Sequence, residues 1–179
     1  PLLLKEYKLL SKGEVLSKGE AIGAKIATGI ARVLQTTKEA GKLQPGEILV
    51  TDLTSPDWDP ILKNAAAIIT NKGGRTSHAS IVARELGVPA IVGCGDATQK
   101  IKEGDLITVS CCEGKTGFIY KGKAVVEETS LDFSKIRKPE STEVMIIAGD
   151  PDKAFQLSFY PNDGVGLMRI EFIITHSIQ

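Results

Sequence analysis

The residues best equipped for chemistry are Gly73-Gly74-Arg75-Thr76-Ser77-His78, a run that ends on one of only two histidines in the chain. A neutral imidazole attacks phosphorus, and an unperturbed histidine titrates at about pH 6.5, so a lone pair is available near neutrality. A nearby cation and the positive end of a helix both favour that neutral form. The glycine pair lets backbone approach a bound group, and Arg75 can add a charge-assisted hydrogen bond. This set suits covalent uptake of a phosphoryl group by His78, held by Gly73, Gly74, Arg75, Thr76 and Ser77 and then passed to a second acceptor. A packed, hydrogen-bonded histidine at the edge of an apolar face would use the same residue types.

The elements that must position this run are legible around it. Thr76 or Ser77 can cap a helix, because a hydroxyl there accepts from an otherwise unpaired N–H. Ala79, Ile81, Val82, Ala83 and Leu86 fall on one broad arc at helical period. Gly87 can take the left-handed C′ conformation and Pro89 prevents resumption, which gives a helix of about three turns. Upstream, Ala66-Ala67-Ile68-Ile69-Thr70 reads as a buried strand and Asn71-Lys72-Gly73-Gly74 as the turn leaving it. Strand, glycine turn and helix start together form an anion site, with N–H groups and the helix dipole facing negative charge.

Further out, Ile30-Ala31-Arg32-Val33-Leu34 and Glu47-Ile48-Leu49-Val50 read as strands. Thr54, Ser55 or Asp57 can cap a helix running to Asn64. Ala90-Ile91-Val92 is a strand entering a glycine loop. Leu106 to Ser110 and Thr116 to Tyr120 form a hairpin. Residues 1–12 read as a short helix or linker end, residues 13–125 as one domain, and residues 126–141 as a charged linker. Residues 142–179 open a second domain: Val144 to Ala148 is a strand, Asp152 to Leu157 is helical, and Asp163 to Phe172 is a strand followed by a helix start.

The 179 residues hold one good-sized domain and a piece of another. Lys+Arg and Asp+Glu each number 22, so no basic stripe points to nucleic acid and no charge block to a membrane surface. Apolar runs fall well short of the ~20 residues that span a bilayer. Cys94, Cys111 and Cys112 are odd in number and lack CxxC spacing, which suits reduced thiols in a cytoplasmic protein. No metal site can be assembled from them and two histidines. Cys94, in a glycine loop, is at most a reactive thiol.

Three separated segments resemble one family, the phosphoenolpyruvate-utilising enzymes. They are the run from Gly73 to Arg84; Leu53 to Pro60 with Gly93 to Thr98; and Gly164 to Phe172. The resemblance implies an α/β chain: a swivelling phosphohistidine domain (a β/β/α sandwich) followed by the first β/α elements of a truncated (β/α)8 barrel. It implies an ATP-grasp domain that binds ATP, a mobile domain carrying His78, and a barrel that binds pyruvate or phosphoenolpyruvate, all in one polypeptide. The reaction implied converts ATP, pyruvate and water to AMP, phosphoenolpyruvate and phosphate. The resemblance further implies that Mg²⁺ serves the full enzyme through ligands outside this chain and that the full enzyme is a homodimer. Thr76 matches a position modified by a bifunctional regulatory kinase/phosphorylase, and Arg169 matches an arginine that binds the substrate phosphoryl group. The alternatives are a sister enzyme with orthophosphate as second acceptor, the phosphotransferase-system enzyme of the same family, or a stand-alone phosphocarrier.

Overall fold

The structure is a computed structural model that describes residues 3–132, 137–148, 157–168 and 170. The chain runs β1 (Leu3–Ser11), β2 (Val15–Ile22), β3 (Ile26–Val33), β4 (Ile48–Thr51), α1 (Asp59–Leu62), β5 (Ala67–Thr70), α2 (His78–Leu86), β6 (Ala90–Val92), α3 (Ala97–Lys100), β7 (Leu106–Ser110), β8 (Thr116–Lys121), β9 (Val125–Asp132), β10 (Met145–Ala148) and β11 (Gly164–Met168). Two compact units divide it: Tyr7–Glu128, and Pro1–Glu6 with Thr129–Gln179.

In the larger unit seven strands close on themselves in the order β2-β6-β5-β4-β3-β7-β8. β3, β4, β5 and β6 run parallel, because the 3-10 segment Thr37–Lys42, α1 and α2 lie in crossover connections long enough to return the chain to the same end. The other pairings are antiparallel. The parallel strands are apolar on both faces, as strands covered on both sides must be. Leu49, Ile68, Ala90 and Val92 pack outward against Trp58, Leu62, Ala79, Val82 and Ala83. Their neighbours Ile48, Val50, Ala67, Ile69 and Ile91 point inward against Ile107, Val109 and Ile119. Each fully buried branched side chain contributes about 1.5–3 kcal/mol.

This gives a helical layer over a parallel layer over an antiparallel layer, the β/β/α order expected. The two β layers are not separate sheets, however. β2 pairs with β6 as well as β8, and β3 pairs with β4 as well as β7. The sandwich is therefore a closed barrel, which leaves none of its strands with an unpaired edge.

Other differences are local. Residues read as a helix or linker end form β1, and part of the segment read as linker forms β9; the two pair with each other. A lone two-turn helix is marginal in water, whereas paired strands satisfy their backbone groups mutually. β2 was not expected, because Gly19 and charged residues interrupt its alternation. On α2, Ala79, Val82 and Ala83 are buried with Ser80, but Ile81 is 47% and Leu86 37% exposed. The apolar arc is wider than the surface available to cover it.

In the smaller unit β10 and β11 form a parallel pair, with a register shift between Ile146 and Ile147. Asp163 accepts from the Val144 N–H at 2.9 Å and pairs with Lys138. Residues 149–156, including the segment read as helical from Asp152, lie largely outside the described residues, as do Arg169 and residues 171–179.

Candidate functional site

Because β4, β5 and β6 are parallel, the loops leaving their carboxyl ends gather on one rim. Open α/β sheets bind ligands on that rim. Asn71 ties the loops together. Its side-chain amide donates to Asp52 Oδ1 at 3.3 Å and Thr98 Oγ1 at 2.6 Å, and its oxygen accepts from the Thr98 N–H at 3.2 Å. Lys72 Nζ bonds Asp52 Oδ2 at 2.8 Å, and that bond, with the Asn71 amide's, holds the Asp52 carboxyl below its ordinary range. The Cys94 N–H donates to the Thr70 carbonyl at 3.0 Å.

The turn before α2 needs glycine. Gly73 has φ +107°, and a Cβ there would lie 2.8 Å from Ser77 Oγ. The Gly74 carbonyl accepts from the Ser77 N–H at 2.9 Å and the Ser80 hydroxyl at 2.7 Å. Ser77 is the cap residue, in extended conformation, but its hydroxyl makes no capping bond. The Ser80 N–H donates to the Ser77 carbonyl at 3.0 Å, and the absence of a side-chain cap leaves the His78 and Ala79 N–H groups as a helix start leaves them. Gly87 closes the helix with φ 67°.

His78 is the first residue of α2, and its side chain is 22% exposed. Thr54 Oγ1 lies 3.0 Å from Nδ1, and Asp59 Oδ1 lies 3.0 Å from Nε2. Thr54 is buried, whereas the Asp59 side chain is 48% exposed. The Asp59 oxygen is off the line of the ring N–H: Oδ1 is itself buried and has no hydrogen-bond partner. The ring therefore stands between a hydroxyl that can donate or accept and a carboxylate that can only accept.

The sequence placed Thr54 among helix caps, but Ser55 is the cap of the 3-10 turn Pro56–Trp58, and Thr54 serves the histidine. Thr54, Asp59 and Asn71 were not anticipated as site residues. Their only sequence signal is position: each follows the carboxyl end of β4 or β5. Arg75, expected beside the histidine, is exposed, with Nη1 3.7 Å from Glu20 Oε1. Where a cation was anticipated near the imidazole, the structure has a carboxylate. Thr76 is exposed and is not the cap residue. Burial pushes the Cys94 and Cys111 thiols up to about 12, which leaves little nucleophilic thiolate. Among the described residues no group of three His, Cys, Asp or Glu is arranged to hold a metal ion. No helix among them is long and apolar enough to cross a membrane.

With the imidazole, the glycine turn and the helix start so arranged, the chain can be compared with known proteins. Residues 43–114 match the family described as PEP-utilising enzyme, mobile domain. The chain is also similar to phosphoenolpyruvate synthases: that of Aquifex aeolicus at 56% identity over 99% of this chain and 21% of the relative. The Escherichia coli protein of the same name is 48% identical over 98% of this chain and 22% of the relative, and the Aeropyrum pernix protein 40% identical over 95% and 22%. The chain thus spans about a fifth of the length of the curated relatives it matches.

Proposed function

We propose that this chain is the phosphoryl-carrying part of a phosphoenolpyruvate synthase, with His78 as the covalent acceptor. The observation that carries the reading is the ring of His78 at the first turn of α2, fixed at Nδ1 by the buried Thr54 hydroxyl, with Nε2 free of any hydrogen bond and 3.0 Å from Asp59 Oδ1. Nε2, the ring nitrogen without a hydrogen bond, is the one left to take a phosphoryl group.

In the transfer, the Thr54 hydroxyl accepts from Nδ1–H, so that Nε2 carries the lone pair. That lone pair forms the N–P bond as the donor's bond to phosphorus breaks. The resulting dianion faces the first-turn N–H groups and the positive end of the helix. Gly73, Gly74 and Ser77 shape that cradle. Arg75, held only by a 3.7 Å ion pair to Glu20 at the surface, supplies a cation to it. Transfer onward to pyruvate divides one difficult step into two, with ping-pong kinetics.

The overall reaction we assign to the intact polypeptide is ATP, pyruvate and water to AMP, phosphoenolpyruvate and phosphate, run in the cytoplasm by a homodimer. An ATP-grasp domain and a (β/α)8 barrel of the same polypeptide hold the two substrates. The parallel pair β10–β11 supports reading the C-terminal residues as the start of that barrel, with Arg169 binding the substrate's phosphoryl group. Mg²⁺ would supply charge neutralisation at the phosphates and would be held outside this chain. Thr76 is exposed, two residues before His78, and suits modification by a regulatory kinase/phosphorylase. A phosphate there would set a second anion beside the site and oppose phosphoryl arrival.

The test is to incubate the intact polypeptide with ATP or with phosphoenolpyruvate and quench in base. Acid-labile phosphate on His78, its discharge by pyruvate, and loss of both half-reactions in His78→Ala are expected. Normal phosphoenolpyruvate synthesis by His78→Ala would refute the reading. The 179-residue chain alone is expected to show no turnover of ATP with pyruvate.

A further inference from the structure

We propose that Asp59 is a positioning residue that holds His78 in its unreactive tautomer and must leave Nε2 before phosphoryl transfer. The proposal rests on His78 being the acceptor and concerns what controls it. At 3.0 Å, Asp59 Oδ1 tolerates an N–H on Nε2 but is repelled by a lone pair there. That oxygen is buried and has no other donor, so the ring N–H is the positive group within its reach. Even off the hydrogen-bond line, a carboxylate at this distance attracts the N–H dipole and repels a lone pair, and burial strengthens both effects, so the Nε2–H tautomer is selected.

Thr54 does not oppose the choice. Its hydroxyl, 3.0 Å from Nδ1, donates to a bare nitrogen or accepts from a protonated one. Nor is Asp59 neutralised by the cations of the neighbouring turn, since Arg75 faces Glu20 at 3.7 Å and Lys72 faces Asp52 at 2.8 Å. The structure therefore shows the ring with Nε2 blocked, the nitrogen that must attack. A phosphoryl dianion on Nε2 would also occupy the place of the carboxylate and meet a like charge.

Release needs little. Asp59 is the first residue of α1 and half exposed, so a rotation of its side chain into water frees Nε2 without disturbing Ile61 and Leu62, which anchor the helix in the core. The proton then passes from Nε2 through solvent to Nδ1, where Thr54 accepts it, and the Nε2 lone pair becomes available. A donor site that presents a cation to Asp59 on docking would perform this release, which confines phosphorylation to the docked carrier.

The test uses the 179-residue chain labelled with ¹⁵N-histidine, in which only His78 and His176 report, at a pH where both rings are neutral. Phosphoramidate serves as a small donor: Nε2 forms the N–P bond, the donor's P–N bond breaks, ammonia leaves, and the ring keeps its Nδ1 proton. Asp59→Asn preserves shape and offers Nε2 a donor in place of an acceptor. Its His78 should switch from Nε2–H to Nδ1–H, and phosphorylation should rise by roughly tenfold once the carboxylate charge no longer faces Nε2. Asp59→Ala should accelerate phosphorylation as well. Where the parent chain is phosphorylated on His78, equal or slower phosphorylation of both variants overturns the proposal, whichever tautomer they show. If the tautomer switches while His78 stays unphosphorylated in every protein, the carrier reading fails and the hold of Asp59 on the ring stands.

Discussion

Two polar clusters of the larger unit contrast sharply. Around Arg32 each of the three guanidinium nitrogens has a carboxylate partner. Nε and Nη2 bond both oxygens of Glu47 at 2.7 Å, and Nη1 bonds Glu103 at 2.7 Å. The two carboxylates also accept from the backbone N–H of Val33 and of Gln44. The guanidinium is held above its ordinary range by Glu47 and then Glu103, and the hydrogen bond from Arg32 lowers Glu47. Around His78 the bonding is incomplete: one hydroxyl of either polarity, and one carboxylate oxygen without a hydrogen bond. A cluster in which every charge is paired fastens β3, the start of β4 and the turn before β7. An unsaturated one, on the rim where three loops meet, keeps its capacity for chemistry.

The largest effect that would sharpen this contrast is His78→Ala. It should abolish acid-labile phosphate on the chain and leave the melting temperature within about a degree or two of the parent, since surface and rim changes cost little. Loss of fold in that variant would break the contrast. Arg32→Ala should do the reverse, lowering the melting temperature by several degrees while the rate of His78 phosphorylation stays the same. Thermal melts and intact-mass time courses of both variants check this.

Gly73→Ala comes next. It forces a side chain into φ +107° and within 2.8 Å of Ser77 Oγ, a strain of about 1–3 kcal/mol. Both stability and phosphorylation should fall, read by a urea titration and the same mass assay. Thr54→Val keeps the shape but removes the bond to Nδ1. Phosphorylation should slow by roughly tenfold, the factor matching a lost hydrogen bond of ~1.4 kcal/mol.

The smallest effect concerns acid. Hydrogen bonds from Lys42 and then from the backbone N–H groups of Gln35 and Thr36 lower Glu39 from 4.5 to about 2. Its folded value lies below its unfolded one, so its contribution is complete above about pH 4.5 and is lost as pH falls towards 2. Glu39→Gln should therefore narrow the gap in melting temperature between pH 7 and pH 3 by a small amount, because the group is surface-exposed. An unchanged gap would show that the cluster contributes nothing measurable.

How much of this was legible depended on distance along the chain. Within twenty residues of His78 the local signals sufficed: the strand before it, the glycine turn, the helix and its Gly87 stop were all readable from residue type and period. Apolar runs likewise marked β4, β5 and β6. What crosses the fold was not readable. Thr54 meets His78 from 24 residues away because two parallel strands end side by side. Asp59 reaches the ring only because α1 starts on the same rim. The sequence offers Arg75 as the neighbouring charge, since it is three residues away, but the tight turn at Gly73 sends that side chain towards Glu20. Closure of the sheet depends on β2 joining both layers, and no local pattern in a glycine-bearing, charged strand announces two partners.

The most direct test of the central claim is intact-mass analysis of the chain after treatment with phosphoramidate, with an acid-lability control and site mapping. One phosphoryl group that maps to His78, is lost in acid and is absent from His78→Ala is the predicted result. Phosphate that is acid-stable, or that remains on the His78→Ala chain, would contradict the account.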